Sequence, residues 1–151
     1  MDANTADTMK ECQSALDVDK LFEEQQGHFS VATTREAYCP TGIFVPDEML
    51  DRLSAFYTRS VTEGYAGARV AGEMSWAVRD IPGSLRLIEY EARVNTTLIQ
   101  YPGTAICQYD AHCFNSRMLR AVLAVHPMII LHGQILKNPY YIKSWWLLKR
   151  H

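Results

Sequence analysis

The 151-residue sequence is short of most features that announce a function. It contains no G-x-x-x-x-G-K-[ST] run, so ATP hydrolysis by the P-loop route has no phosphate cradle. None of its four cysteines, Cys12, Cys39, Cys107 and Cys113, forms a C-x-x-C pair. That removes the usual spacing of a structural zinc site or a redox disulfide and implies free thiols. Lys plus Arg is 15 and Asp plus Glu is 17, a net charge of −2 with no basic block. Nucleic-acid binding by this chain therefore has no electrostatic footprint. The start, "MDANTADTMKECQ", lacks the basic and apolar regions of a secretory signal. The longest charge-poor stretch, Ala121 to Leu136, is broken by Pro127, two histidines and Gln134. It falls short of the roughly 18 residues of a membrane span. The expectation is a soluble, cytoplasmic protein with no membrane partner.

What is present is ordinary globular material. Apolar residues make up 48% and charged residues 21%, and the length suits a single domain over 1–151 with its own core. "NTADTMKECQSAL" reads as a helix capped by Asn4 or Thr5, and "DVDKLFEEQQ" as a short turn or helix. "HFSVAT" alternates as a strand, and "REAYCPTGIF" is irregular. Pro46, Asp47 and Glu48 open a helix whose stripe is Leu50, Leu53, Tyr57 and Val61, ended by Gly64. "GARVAGEM" is a strand. In "SLRLIEYEARVNTTLIQ", Leu85, Ile88, Ala92 and Ile99 share a helical face with Asn95 in its middle. "TAICQYD" is an apolar strand, and "NSRMLRAVLAVH" a helix capped by Asn115 or Ser116. "PMIILHGQIL" reads as one more strand, bent at Gly133, before a turn at "KNPYY".

Strands thus alternate with helices, which implies an α/β fold: a mostly parallel sheet with helices on both faces. Ligands of such sheets bind beyond the carboxyl ends of the strands. Glu73, Tyr109 and Asp110 fall at such ends, with His132 near another.

Four segments carry a further signal: "VATTREAY", "GARVAGEMSWAVRD", "LIEYEARVN", and "AICQYD" followed by "HPMIILHGQILKNPYY". In this order they resemble the MEDS domain, the methanogen/methylotroph sensory domain first defined in a dichloromethane-responsive repressor. The resemblance runs from about Asp2 to Tyr141. It implies a RecA-like fold lacking a P-loop, and a small-molecule sensor in a transcriptional or signalling regulator. The implied ligands are C1 or hydrocarbon-derived compounds. Family members usually carry a further helix and strand before the position of Asp2, so the family's first β unit is expected to be missing here. An open sheet edge would then favour a homo-oligomer or a regulatory protein partner.

The residues themselves suggest a polar pocket with an aromatic wall. Glu73 and Trp76 follow a glycine at a strand end; the plainer reading is a strand-end carboxylate and a core aromatic. Glu91 and Asn95 lie four apart on one helix face with Glu89 beside them, and Asn95 needs a partner if buried, such as Glu73 or Tyr109. The expected ligand-binding set is Glu73, Trp76, Glu89, Glu91, Asn95, Tyr109 and Asp110, with Asn138 and Tyr140 at the rim. Cys107, His112 and Cys113 are metal-capable but lack a second pair at ligand spacing. The favoured reading is a strand cysteine and loop residues, unless the fold brings His126 or His132 close. No metal or catalytic residue is assigned, and no cofactor is indicated. Two other classes stay open: an enzyme using the pocket carboxylates or Cys107, and a pure oligomerisation or docking module.

Overall fold

The computed structural model describes residues 28–143. The helix expected over 4–16, the short turn or helix over 17–26, Cys12, and the apolar tail "SWWLLKRH" lie outside them. The chain divides into two compact units, Met1–Thr41 and Gly42–His151.

In the first unit the expected strand over 28–33 does not form. Thr33 instead caps a short helix, α1 (Thr34–Ala37). Its hydroxyl accepts from the Glu36 amide at 3.3 Å, and the Glu36 carboxylate accepts from the Thr33 amide at 2.7 Å. This reciprocal box satisfies two orphan helix-end donors and outcompetes a six-residue alternation.

The second unit opens with α2 (Pro46–Thr62). Pro46 fixes φ in the first turn, and Asp47 and Glu48 sit at the positive end of the helix dipole. Leu50, Leu53 and Tyr57 are buried as the stripe requires, while Val61 is exposed near the frayed end. β1 (Ala68–Glu73) follows, then 3₁₀ turns at Ser75–Val78 and Ser84–Arg86, then α3 (Leu87–Leu98). Gly83, with φ near 88°, lies where an added Cβ would meet the Phe44 carbonyl oxygen at 2.1 Å. Phe44 is thereby seated against Trp76, with ring centroids 4.8 Å apart, and edge-on to Tyr90 at 5.6 Å. These rings form the core centre.

The face expected on α3 is corrected. Leu85 is 94% exposed and Ile99 86% exposed. Ala92 is buried as expected, but the main buried face is Leu87, Tyr90, Glu91 and Val94, an i, i+3, i+4, i+7 stripe in which a carboxylate holds a core position.

β2 (Gly103–Gln108) pairs parallel with β1, in register from Ala68 opposite Gly103 to Glu73 opposite Gln108. Side chains alternate across the pair. Val70, Ala105 and Cys107 lie on the more covered face, and Arg69, Ala71, Thr104 and Ile106 on the exposed one. On the covered face Tyr57 lies over Gly103 and its hydroxyl donates to the Thr104 carbonyl at 3.0 Å. α4 (Ser116–Val125) begins at Asn115, whose side chain accepts from the Met118 amide.

The segment read as one bent strand is two. β3 (Met128–Leu131) and β4 (Gln134–Lys137) form an antiparallel hairpin around His132 and Gly133, both at positive φ. That is the backbone a two-residue hairpin turn demands. Among the described residues the parallel sheet therefore has two strands, and the hairpin is a separate two-stranded sheet. The fold is mixed α/β with a small parallel sheet and helices. No helix of the described residues is long and apolar enough to cross a membrane.

Candidate functional site

The sequence-predicted residues separate into one buried cluster and several dispersed positions. The cluster forms where α3, the end of β2 and the end of α4 meet. Glu91, on the buried face of α3, is 1% exposed. Its Oε1 accepts from the Tyr109 hydroxyl at 2.5 Å. Its Oε2 accepts from the Cys107 thiol at 3.4 Å and lies 3.4 Å from His126 Nε2. Cys107 is brought there by the alternation of β2, which turns every second side chain toward the helices. His126 closes α4, and its other ring nitrogen, Nδ1, is 2.8 Å from the Val122 carbonyl one turn back. That contact makes Nδ1 the N–H donor and leaves Nε2 facing the carboxylate. The Tyr109 ring packs edge-on to Phe114 at 5.1 Å and to His126 at 6.0 Å.

Burial and the adjoining carboxylate act together on the titration of these groups. Burial first, and the Glu91 charge second, push the Cys107 thiol far above its ordinary value, so it stays protonated. For His126, burial opposes the charged form, but its hydrogen bond to Glu91 and the charge of that carboxylate outweigh it and raise the imidazole. The result is a nearly dry acceptor ringed by a phenol, a thiol and an imidazole.

Two amides tie this cluster to its surroundings. Asn95 Nδ2 donates to the Val125 carbonyl at 2.6 Å, so its partner is the end of α4 rather than Glu73 or Tyr109. Asn138, buried just after β4, donates from Nδ2 to the Leu123 and His126 carbonyls at 2.6 and 2.7 Å. Its Oδ1 accepts from the Tyr140 amide at 2.9 Å. The hairpin is thereby bolted to the helix end that carries His126.

The remaining residues stand elsewhere. Glu73 folds back on its own turn, accepting from the Ser75 amide and hydroxyl at 2.8 Å each. Trp76 is a core residue against Phe44. Glu89 lies in a surface network with Arg86, Arg93 and Asp47, where Arg86 holds its carboxyl below the ordinary value. Asp110 is exposed and caps a turn, accepting from the His112 amide at 2.8 Å. Cys113 is exposed on the same turn, Tyr140 is exposed, and His132 sits at the hairpin tip. A groove of about 240 Å³ lined by Ile88, Asn115, Met118 and Ala121 includes none of the predicted site residues.

Sequence reading missed the central role of His126. The signal was a lone histidine at the end of an apolar helix, "AVLAVHP", which also reads as an ordinary helix exit before a proline.

Comparison with known proteins bears on what this arrangement serves. The transcriptional repressor DcmR of Methylorubrum extorquens (strain DSM 6343 / CIP 106787 / DM4) is 32% identical over 80 residues. The match covers 52% of this chain and 30% of the repressor's length. No solved structure matches the chain. The model of the MEDS family, the methanogen/methylotroph, DcmR sensory domain, matches residues 1–127, which include Glu91, Cys107, Tyr109 and His126 but not the hairpin. The chain belongs to the MEDS family of sensory domains.

Proposed function

We propose that this domain binds a small molecule at the carboxyl end of β2 and passes its occupancy to a transcriptional or signalling regulator. The family and the similar repressor support the regulatory role. The observation that carries the binding role is the buried Glu91 carboxylate, which gathers Tyr109, Cys107 and His126 at the end of a parallel strand. Such ends are where α/β sheets take ligands. Asn95 and Asn138 hold the walls of that end, with Tyr140 at its rim. Glu73, Trp76, Glu89 and Asp110 act as support rather than as direct contacts in this reading. C1 or hydrocarbon-derived compounds are the ligand class, and the β1–β2 pair is read as part of a RecA-like sheet.

The test is a thermal-shift screen of the full chain against halomethanes, short alcohols and small carboxylic acids. The expected result is a stabilising compound whose effect is lost in Tyr109→Phe and kept in Asp110→Asn. A shift that survives Tyr109→Phe and Glu91→Gln would move the site elsewhere. A second copy of the chain is the partner in this reading, supported by the exposed apolar side chains of the β3–β4 hairpin.

A further inference from the structure

We propose that Glu91 Oε2, Cys107 Sγ and His126 Nε2 form a binding site for a zinc-class divalent transition-metal ion. The three donor atoms lie within 4.8 Å of one another. Two of the three edges are already short: Oε2 to Sγ and Oε2 to Nε2 are each 3.4 Å. A tetrahedral zinc with bonds of about 2.0 Å to N and O and about 2.3 Å to S holds its donors roughly 3.3–3.6 Å apart. The remaining edge, Cys107 Sγ to His126 Nε2, is no longer than 4.8 Å.

The orientation of the ligands is as informative as their spacing. The non-ligating nitrogen of His126 faces the Val122 carbonyl at 2.8 Å, and the non-ligating oxygen of Glu91 accepts from Tyr109 at 2.5 Å. Metal-binding imidazoles and carboxylates are held in this manner, by hydrogen bonds on the atom turned away from the ion. One imidazole nitrogen, one thiol sulfur and one carboxylate oxygen form a donor set of mixed softness, which suits zinc, cobalt(II) or iron(II) rather than calcium or magnesium. The His126 side chain is 22% exposed, which gives the ion a way in. Binding releases the Cys107 thiol proton as the sulfur–metal bond forms, and the proton that the protonated imidazole carries on His126 Nε2 as the nitrogen–metal bond forms, both to solvent. Three protein ligands leave a fourth position for water or another donor, as in open zinc sites.

The experiment is a cobalt(II) titration of the full chain after chelator treatment, followed by electronic absorption. One cobalt per chain is expected, with a thiolate-to-cobalt charge-transfer band and the intense visible bands of a tetrahedral site. Cys107→Ser abolishes the charge-transfer band, His126→Gln weakens binding at least tenfold, and Cys113→Ser, on the exposed turn, changes neither. Far-ultraviolet circular dichroism of each variant establishes that it is folded. As a second readout, zinc raises the Tm of the unsubstituted chain and not that of His126→Gln. No charge-transfer band in the unsubstituted chain overturns the site. So does a band that survives Cys107→Ser or disappears with Cys113→Ser.

Discussion

At the scale of single residues, the cluster around Glu91 is held by unequal partners, which makes substitutions there informative. Removing the carboxylate leaves the Tyr109 hydroxyl and the His126 imidazole facing a void. In metal-free protein, Glu91→Ala is expected to cost about 3 kcal/mol, and Glu91→Gln, which keeps an acceptor for Tyr109, about half of that. Urea unfolding curves check both, and equal losses would show that packing alone matters. Asn138 gives a sharper contrast, because its Nδ2 serves two carbonyls at once. Asn138→Asp replaces that donor with a second acceptor at the same volume, so it should destabilise by about 2 kcal/mol or more despite being nearly isosteric. A neutral Asn138→Asp would mean the amide is not the bolt. Tyr57 carries the pH prediction. Burial raises its phenol from 10.0 to about 12. The folded state therefore holds this proton more tightly than the unfolded one, and the contribution is complete below pH 10. It declines as pH rises from 10 to about 12, because only the unfolded chain ionises in that window. Tyr57→Phe should flatten the stability–pH curve there, measured by chemical unfolding at stepped alkaline pH.

At the scale of elements, what was legible in the sequence follows from how local each signal is. α2 was readable because Pro46, two acids and a stripe agree within one segment. β1 and β2 were readable because a short apolar run bounded by glycine has few alternatives. The face of α3 was not, for a physical reason: its core position 91 is a glutamate. Any stripe built from apolar residues alone slides to Leu85, Ile88, Ala92 and Ile99. The same residue that misleads the periodicity makes the site, and it becomes a core residue only because β2 and α4 supply its donors. The hairpin was missed because "HG" is a poorer turn signal than Asn-Gly, and a continuous apolar run hides the reversal. The pairing of Glu91 with Tyr109 was not anticipated: Tyr109 was expected as a partner for Asn95, since helix periodicity does not say which strand end lies opposite. The packing of α2 on the sheet yields its own prediction. A Cβ on Gly103 would fall 2.1 Å from the Tyr57 ring. Gly103→Ala should therefore destabilise by about 2–3 kcal/mol through overpacking. Adding Tyr57→Leu should recover part of the loss, a coupling of roughly 1 kcal/mol visible in a double-mutant cycle. Strict additivity of the two losses would place the strain elsewhere.

At the scale of the whole molecule, the hairpin is the element least accounted for by the chain's own packing. A two-stranded ribbon is marginal in water by itself, and this one exposes apolar side chains on both faces. Met128, Ile130 and Ile135 lie on one side and Leu131 and Leu136 on the other, with Ile135 70% exposed. Lys137 is the ribbon's single charged residue. An apolar patch with a single charge is a candidate contact for a second copy of the chain in a twofold arrangement. Asn138 gives that contact a consequence. Through its bonds to the Leu123 and His126 carbonyls, Asn138 would carry a change at the Glu91 cluster to the base of the ribbon, and a dimer formed there would feel occupancy of the site. The chain is expected to sediment as a dimer, at twice its 17.2 kDa mass. Ile135→Glu should yield a folded monomer, because the residue is 70% exposed and its substitution removes little packing among the described residues. An unsubstituted chain that stays monomeric at high concentration, or a dimer indifferent to Ile135→Glu, would separate the ribbon from assembly. If the dimer forms and Asn138→Ala uncouples its dissociation constant from ligand while leaving the ribbon paired, signal and assembly share one bolt.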